Sequence, residues 1–291
     1  MPLAETGVGR LDQWHSPSLG RFGVWRPGSR TTAEQATGIE GLGYGTLWLG
    51  GSPGADLHHA EELLDATSTL TIATGIVNIW RAPVDEVAAS FHRIEARHPG
   101  RFLLGIGVGH PETADHYRAP YTSLVEYLDR LDVLGVPEQR RALAALGPRV
   151  LKLSAARTAA AHPYLTTPAH TRSARELIGP NTILAPEQKV MLTTDASAAR
   201  YVGRKVAGPY LELTNYRTNL VRSGFTEQSL DDGGSDEVID ALIAHGEASY
   251  VAARLREHIE AGADHVAIQV LPQRDDPLPT LEALARELSL R

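Results

Sequence analysis

Cysteine is absent from all 291 residues. The chain therefore has no disulfide, no thiolate nucleophile and no cysteine-bound metal. Long apolar runs are absent as well, since no stretch approaches the roughly 18 to 20 residues that a membrane helix needs. The chain has fewer basic than acidic residues, 28 against 35, which gives a net charge of −7. A general nucleic-acid binder needs a basic face, so neither nucleic acid nor membrane is expected as a partner.

The first ten residues, MPLAETGVGR, lack a basic region followed by an apolar stretch. We therefore predict no secretory signal and a cytoplasmic location. The rest of the composition, 42% hydrophobic and 22% charged, is that of a globular protein with enough apolar residues for a large core. The length admits two domains, but α/β barrels of about 250 residues fold as one. We expect a single domain over residues 1–291.

What the sequence contains is a repeated unit of a short apolar strand, a turn and an amphipathic helix. Such repetition is typical of parallel strands joined by crossover helices. Eight strands are predicted at 21–25, 46–51, 71–77, 101–109, 141–146, 163–167, 189–194 and 265–271. Residues 208–246 predict additional helices between the seventh and eighth strands. Eight units favour a (β/α)8 TIM barrel over an open doubly wound sheet, which more often has fewer strands.

In a TIM barrel the functional site lies at the carboxyl ends of the strands. Three features fall there. Strand three contains Gly75 between β-branched residues, which predicts a bulge or a close backbone approach. The segment GIGVGH at 105–110 alternates glycine with other residues, which predicts a bare strand face for a flat ligand. The segment ALGPRV at 145–150 opens a helix whose free N–H groups could hold an anion, although many such helix starts bind nothing.

Other site types are less well supported. GIGVGH lacks the third glycine at the proper spacing and an acidic residue about twenty positions on, so it is a poor dinucleotide fingerprint. His58 and His59 lie near acidic residues, but neighbouring helical side chains point about 100° apart and cannot readily share one ion. We therefore predict no metal site.

At these segments the chain resembles the bacterial luciferase-like oxidoreductases, and within them the branch that uses the deazaflavin coenzyme F420. The resemblance extends over nearly the whole chain. It rests on IATGIVNIWRAP at 72–83, on HPGRFLLGIGVGH at 98–110, which is the most specific part, and on LAALGPRVLKL at 143–153. Residues 162–190, from HPYLTT to APEQKV, resemble one actinobacterial-type subgroup of F420-dependent enzymes.

The resemblance implies where a cofactor would be held. Strand three would end in a bulge with a non-prolyl cis peptide between Gly75 and Ile76 that supports the back of a tricyclic ring. A simple β-bulge with only trans peptides is the alternative. The cofactor-binding residues that follow from the resemblance and the strand ends are Gly51, Gly75, Ile76, Asn78, Gly107, Val108, Gly109, Leu146, Gly147, Pro148 and Arg149. Trp25 and Trp80, at the ends of strands one and three, are candidates for the walls of a substrate pocket.

The catalytic residues depart from the family pattern. Many F420 enzymes end strand two with Ser-Asp-His, where this chain has Gly50-Gly51-Ser52, and many place a glutamate where this chain has His110. The proton donor of those F420 enzymes therefore has no counterpart at the matching positions of this chain. His110 is the candidate to replace it, because a histidine can hold or release a proton near neutral pH. A solvated loop histidine is the alternative.

The predicted function is hydride transfer between C5 of F420 and an unidentified small organic substrate. A reduced-FMN monooxygenase on the same fold is one alternative, and a barrel that binds cofactor without catalysis is another. Members of the family are commonly dimers, so a homodimer is expected.

Overall fold

The computed structural model describes residues 15–109 and 119–290. Within them, all strand pairs are parallel and the strands follow the order β10, β9, β11, β1, β2, β3, β5, β6, β7, β8, with β4 beside β5. The strands are β1 (Phe22–Pro27), β2 (Thr46–Gly50), β3 (Thr71–Thr74), β4 (Val77–Asn78), β5 (Phe102–Gly107), β6 (Arg141–Leu143), β7 (Ala160–Ala161), β8 (Ile183–Leu184), β9 (Glu187–Leu192), β10 (Ile243–Gly246) and β11 (Val266–Val270).

The sheet closes into a barrel through β8 and β9, which are separated only by Ala185 and Pro186. The amide of Ala185 donates to the Ala161 carbonyl in β7, and the amide of Ala267 in β11 donates to the Pro186 carbonyl. This one continuous segment therefore joins the two ends of the sheet. Counting β3 with β4, and β8 with β9, as single interrupted strands and leaving aside β10, which pairs only with β9, gives eight barrel strands. The predicted TIM-barrel fold is confirmed.

Helices connect the strands and cover the outside of the barrel. The third helix is an example, since Val87, Phe91 and Ile94 lie at helical spacing in the sequence and are buried on one face. The helices are α1 (Ala33–Gly41), α2 (His58–Asp65), α3 (Val84–Arg97), α4 (Pro120–Val133), α5 (Pro148–Arg157), α6 (Pro168–Ile178), α7 (Ala196–Leu211), α8 (Thr214–Arg222), α9 (Asp236–Leu242), α10 (Ala248–Glu260) and α11 (Leu278–Leu288). None of them is long and apolar enough to cross a membrane.

The prediction of strand six was wrong in position. Residues 163–167 are not a strand, and the barrel strand is β7, which lies just before them. Pro163 has no N–H to give to a sheet, and Leu165 has a left-handed φ of 54° that interrupts extended backbone. Thr167 instead caps α6 by accepting a hydrogen bond from the amide of His170.

The segment between the last two barrel strands holds the predicted extra helices, α8 and α9. It also holds β10, a strand that the sequence pattern did not predict. β10 pairs with the carboxyl half of β9 and extends the barrel wall on that side. The short strand β8 was missed as well.

Inside the barrel, one large ring is surrounded by small side chains. Trp48 is fully buried in a cluster with alanines from neighbouring strands: Ala73, Ala142, Ala160, Ala185 and Ala267. Large rings beside small side chains suit the narrow interior of a barrel. This packing forms the layer on which the site is built.

Candidate active site

A cavity of about 1030 Å³ opens at the carboxyl ends of the barrel strands. This is where functional sites of TIM barrels lie. Ten of the residues singled out in the sequence line it together: Trp25, Gly51, Gly75, Ile76, Asn78, Val108, Gly109, Leu146, Gly147 and Arg149. Segments that are far apart in sequence are therefore brought to one place.

Three other candidates are not on the cavity wall, and a fourth lies outside the described residues. Gly107, Pro148 and Trp80 are not among its lining residues. Trp80 instead donates its indole N–H to the Val108 carbonyl at 2.8 Å, which ties the turn after β4 to the end of β5. His110 lies outside the described residues, so its role as proton donor stays a prediction.

The bulge in strand three has the predicted cis peptide between Gly75 and Ile76. The backbone there approaches the indole of Trp25. A β-carbon on Gly75 would lie 2.9 Å from Trp25 Nε1, and one on Gly50 would lie 2.0 Å from Trp25 Cζ2. Both glycines are needed because any larger residue would displace this ring from the cavity floor. Asn78 fixes the far side of the bulge, since its Oδ1 accepts a hydrogen bond from the amide of Trp80 at 3.0 Å.

The alternating glycines of β5 do not leave a bare face for a ligand, so this prediction was wrong for two of the three. A β-carbon on Gly105 would lie 1.8 Å from the Thr74 carbonyl oxygen. One on Gly107 would meet Ile76 at 2.9 Å and Ala144 at 3.0 Å. Protein atoms already occupy that face. Gly109 reaches the cavity, where its φ of 61° suits glycine.

An aromatic wall, which the sequence did not predict, forms one side of the cavity. Its members are Trp25, Tyr164, Tyr210 and Tyr216, with successive ring centroids 5.3, 5.4 and 5.2 Å apart. Such distances are typical of packed aromatic pairs. Burial raises the pKa of Tyr164 well above its ordinary value, so this phenol stays neutral and the wall presents an uncharged face.

A buried ion pair supports the wall from within the barrel. Lys189 Nζ lies 2.9 Å from Glu187 Oε2 and 3.8 Å from the ring centroid of Tyr164. The Tyr164 hydroxyl donates to Gln269 Oε1 at 3.0 Å. Burial is the main influence on both charged groups, lowering the pKa of Lys189 and raising that of Glu187. These contacts fix Tyr164 in position at the cavity wall.

Four cations line the cavity of this acidic protein: Arg81, Arg149, Lys205 and Arg222. Among the lining residues in the described part of the chain there is no Asp or Glu, and none of the four cations pairs with a described carboxylate. The guanidinium of Arg149 stacks 3.7 Å from the ring centroid of Tyr121. Uncompensated positive charge around a concave surface attracts anions.

The helix start predicted as an anion site lies beside Arg149. α5 begins after Gly147, which makes no side-chain cap, and a β-carbon on Gly147 would meet nothing within 4 Å. The start of the helix therefore faces open space in the cavity. Pro148 has no N–H, and the N–H groups of Val150 and Leu151 donate to the Gly147 carbonyl, so the N–H of Arg149 is the one without a partner in the described part of the chain. Within the described ranges, no group of three or more His, Asp or Glu side chains is placed to hold a metal ion.

His162, which the sequence did not single out, also lines the cavity. Its ring stacks on Trp48 with centroids 4.0 Å apart and an interplanar angle of 6°. Burial lowers the pKa of His162 to about 4, although a hydrogen bond to the Ala185 carbonyl opposes this effect. The imidazole is therefore neutral at pH 7.

Comparison with known proteins defines the fold but not the function. No protein-family model matches the chain, and no curated protein matches it in sequence. Solved structures do match in fold. An F420-dependent secondary alcohol dehydrogenase in complex with an F420-acetone adduct has a TM-score of 0.69 at 16% identity, covering 92% of this chain and 99% of that one.

Two further structures show the same likeness. The coenzyme F420 dependent tetrahydromethanopterin reductase from Methanopyrus kandleri has a TM-score of 0.67 at 15% identity, covering 94% of this chain and 99% of that one. The oxygenating constituent of 3,6-diketocamphane monooxygenase from Pseudomonas putida, in complex with FMN, has a TM-score of 0.64 at 14% identity, covering 92% and 98%. The resemblance predicted from the sequence is thus confirmed at the level of the fold.

Proposed function

We propose that this chain is an F420-dependent oxidoreductase of the luciferase-like family, which transfers a hydride between C5 of the deazaflavin and a small organic substrate. One observation carries the proposal. The cavity at the strand ends combines the bulge at Gly75 and Ile76 with four cations that pair with no carboxylate in the described part of the chain, in a protein of net charge −7. A flat ring with an anionic tail is the type of ligand that suits both features.

The proposed ring site is formed by the bulge and the strand ends beside it. Gly75, Ile76 and Asn78 would support one face of the ring, and Val108, Gly109 and Gly51 would border it. All six line the cavity. A β-carbon on Gly51 would meet nothing within 4 Å, so space is open there. Ligand pockets usually measure about 300 to 1,000 Å³, so about 1030 Å³ is enough for a ring and a substrate together.

The proposed anion site is the start of α5. The backbone from Leu146 through Gly147 and Pro148 to Arg149 would hold the cofactor phosphate by the N–H of Arg149 and by the positive end of the helix dipole, since Pro148 has no N–H to give. Arg149 would add a formal charge. Pro148 does not line the cavity, and its contribution is to set the φ of the first helical residue.

When bound, the coenzyme supplies the carbon that gives or takes the hydride. The chain's own residues would orient the ring, exclude water by means of the aromatic wall, and donate a proton to the substrate. Trp25 contributes to that wall, and Trp80 holds the bulge against β5 from outside the cavity. His110 is proposed as the proton donor to the substrate atom that gains negative charge.

Titration of the apoprotein with F420 and with FMN tests this function, using cofactor fluorescence as the readout. We expect F420 to bind at least tenfold more tightly. Preferential FMN binding would reverse the choice in favour of a reduced-FMN monooxygenase. Tight F420 binding without hydride exchange at C5 across a broad substrate panel would instead favour a non-catalytic binding protein.

Two further properties belong to the same proposal. A homodimer is expected from the resemblance, and sedimentation of the purified chain at micromolar concentration tests it. A cytoplasmic location is expected as well, which fractionation of the source cells would test.

A further inference from the structure

Two buried nitrogens on the cavity floor have no hydrogen-bond partner within the described part of the chain. They are Nε1 of Trp25 and Nε2 of His162. The residues are 7% and 2% exposed, and both line the cavity. A buried polar atom without a partner destabilises the protein, and a ligand that completes its hydrogen bond removes that cost.

The two nitrogens face the same small region. A β-carbon on Gly75 would lie 2.9 Å from Trp25 Nε1 and 3.6 Å from His162 Nε2. Both nitrogens therefore lie within 4 Å of one point beside Gly75. A single ligand group that lies between them could contact the two at once.

The hydrogen bonds of His162 determine what each nitrogen offers. Nδ1 of His162 lies 2.6 Å from the Ala185 carbonyl oxygen, which can only accept, so Nδ1 carries the proton. In the neutral ring Nε2 is then an acceptor. The indole Nε1 of Trp25 is always a donor. The floor thus presents one donor and one acceptor.

Neither ring can turn away to find another partner. Trp25 packs against Gly50 and Gly75, where added β-carbons would clash with it. His162 is held by its stacking on Trp48, and the Trp48 indole donates to His265 Nε2 at 3.1 Å. The donor and acceptor are therefore fixed before any ligand arrives, which lowers the entropy lost on binding.

We propose that Trp25 and His162 together recognise one neutral ligand group that both accepts and donates a hydrogen bond, either a hydroxyl or a lactam N–H/C=O edge. The proposal rests on the proposed function only in placing the ligand in this cavity. The pair discriminates against ethers and esters, which accept from Trp25 but leave the His162 acceptor unpaired. It discriminates equally against carboxylates, which have no proton to donate.

This group can come from two sources. A substrate hydroxyl is one, and the lactam edge of the coenzyme ring is the other. The chemistry that the pair recognises is the same in both cases, and the experiment below separates them.

The test uses the tryptophan indole signals of the full chain labelled with ¹⁵N. Four tryptophans give four indole signals, and Trp25→Phe assigns one of them. Cyclohexanol and methoxycyclohexane are the matched probes, since the ether keeps the ring and the acceptor but lacks the O–H donor. F420 and FMN are added separately, without either probe.

We expect cyclohexanol to move the Trp25 signal and to bind at least fivefold more tightly than the ether. His162→Phe keeps a ring over Trp48 but removes the acceptor, and should bring the two affinities within twofold. His92→Phe, at an exposed histidine on α3, is the matched control and should keep the preference. If His162→Phe fails to fold, the proposal is still tested by the wild-type protein, through its preference for cyclohexanol over the ether and through movement of the Trp25 signal.

If only a coenzyme moves the Trp25 signal, Trp25 and His162 recognise the lactam edge of the coenzyme ring. If only cyclohexanol moves it, they recognise a substrate hydroxyl. Equal affinity for alcohol and ether, together with a Trp25 signal that no probe or coenzyme moves, overturns the proposal. If neither coenzyme binds but the preference for the alcohol remains, the proposed function is contradicted. The proposal for Trp25 and His162 is then still supported.

Discussion

Gly147→Asp separates anion binding at α5 from the stability of the fold. The position has a φ of −87° and a ψ of 161°, which any residue adopts, and a β-carbon there meets nothing within 4 Å. The new side chain therefore fits. Aspartate is also a favoured residue at this capping position, where its carboxylate can accept a hydrogen bond from an N–H of the first turn. Stability should stay equal or rise by a few tenths of a kcal/mol.

Cofactor affinity should change in the opposite direction. A carboxylate about 5 Å from a phosphate repels it by about 3 kcal/mol per pair of unit charges at an effective dielectric of about 20. Screening by solvent reduces this repulsion, while loss of the helix N–H groups to the new cap adds to the effect. We expect a net loss of about 1 to 3 kcal/mol, or roughly five- to 140-fold in Kd.

The assay is fluorescence titration of F420 with the wild type, Gly147→Asp and Gly147→Asn, beside thermal unfolding of each. Asparagine caps a helix about as well as aspartate but adds no charge, so we expect it to weaken binding less than threefold. The difference between the two variants isolates the electrostatic effect. Equal affinities in all three proteins would remove this loop from the cofactor site.

The remaining predictions concern the proton donor, the packing of β5 and the pH dependence of stability. His110→Gln should lower kcat at least tenfold while F420 affinity stays within about threefold; steady-state kinetics in which both constants match the wild type would make His110 a loop residue. Gly105→Ala should lower the melting temperature sharply, because its β-carbon would lie 1.8 Å from a backbone oxygen, whereas Gly147→Ala should leave it nearly unchanged; equal melting temperatures would refute the packing argument. Urea denaturation should show the unfolding free energy falling from about pH 6.5 towards pH 4, by up to about 1 kcal/mol per pH unit for each histidine, because the unfolded chain binds protons that the buried rings do not. A flat profile over that range would contradict the low pKa values of about 4, 3 and 4 for His162, His258 and His265.

The sequence predicted the barrel because alternation of strands and helices is a regular, local signal. It also predicted the cis bulge, where a glycine between β-branched residues coincided with a family resemblance. It placed strand six incorrectly because the run is apolar, although Pro163 has no N–H to give to a sheet, and because the left-handed φ of Leu165 cannot be read from the sequence. The β propensity of this run is overridden there by the turn that leads the chain into α6.

The site was predictable only in part. Glycines at 105 and 107 indicate a close approach, but the sequence does not say whether a ligand or the protein makes it. The aromatic wall was missed because its tyrosines come from a loop, α7 and α8, which only the tertiary fold brings together. His162 gave no signal at all, because its significance depends on an unpaired nitrogen that is visible only in three dimensions.

A crystal structure of the protein with F420 bound tests the central claim most directly. We predict the deazaflavin ring against the Gly75 and Ile76 backbone and the phosphate within hydrogen-bond distance of the backbone between Gly147 and Arg149. A coenzyme bound outside the cavity, or a ring placed away from the bulge with its phosphate on other residues, would contradict the proposed function.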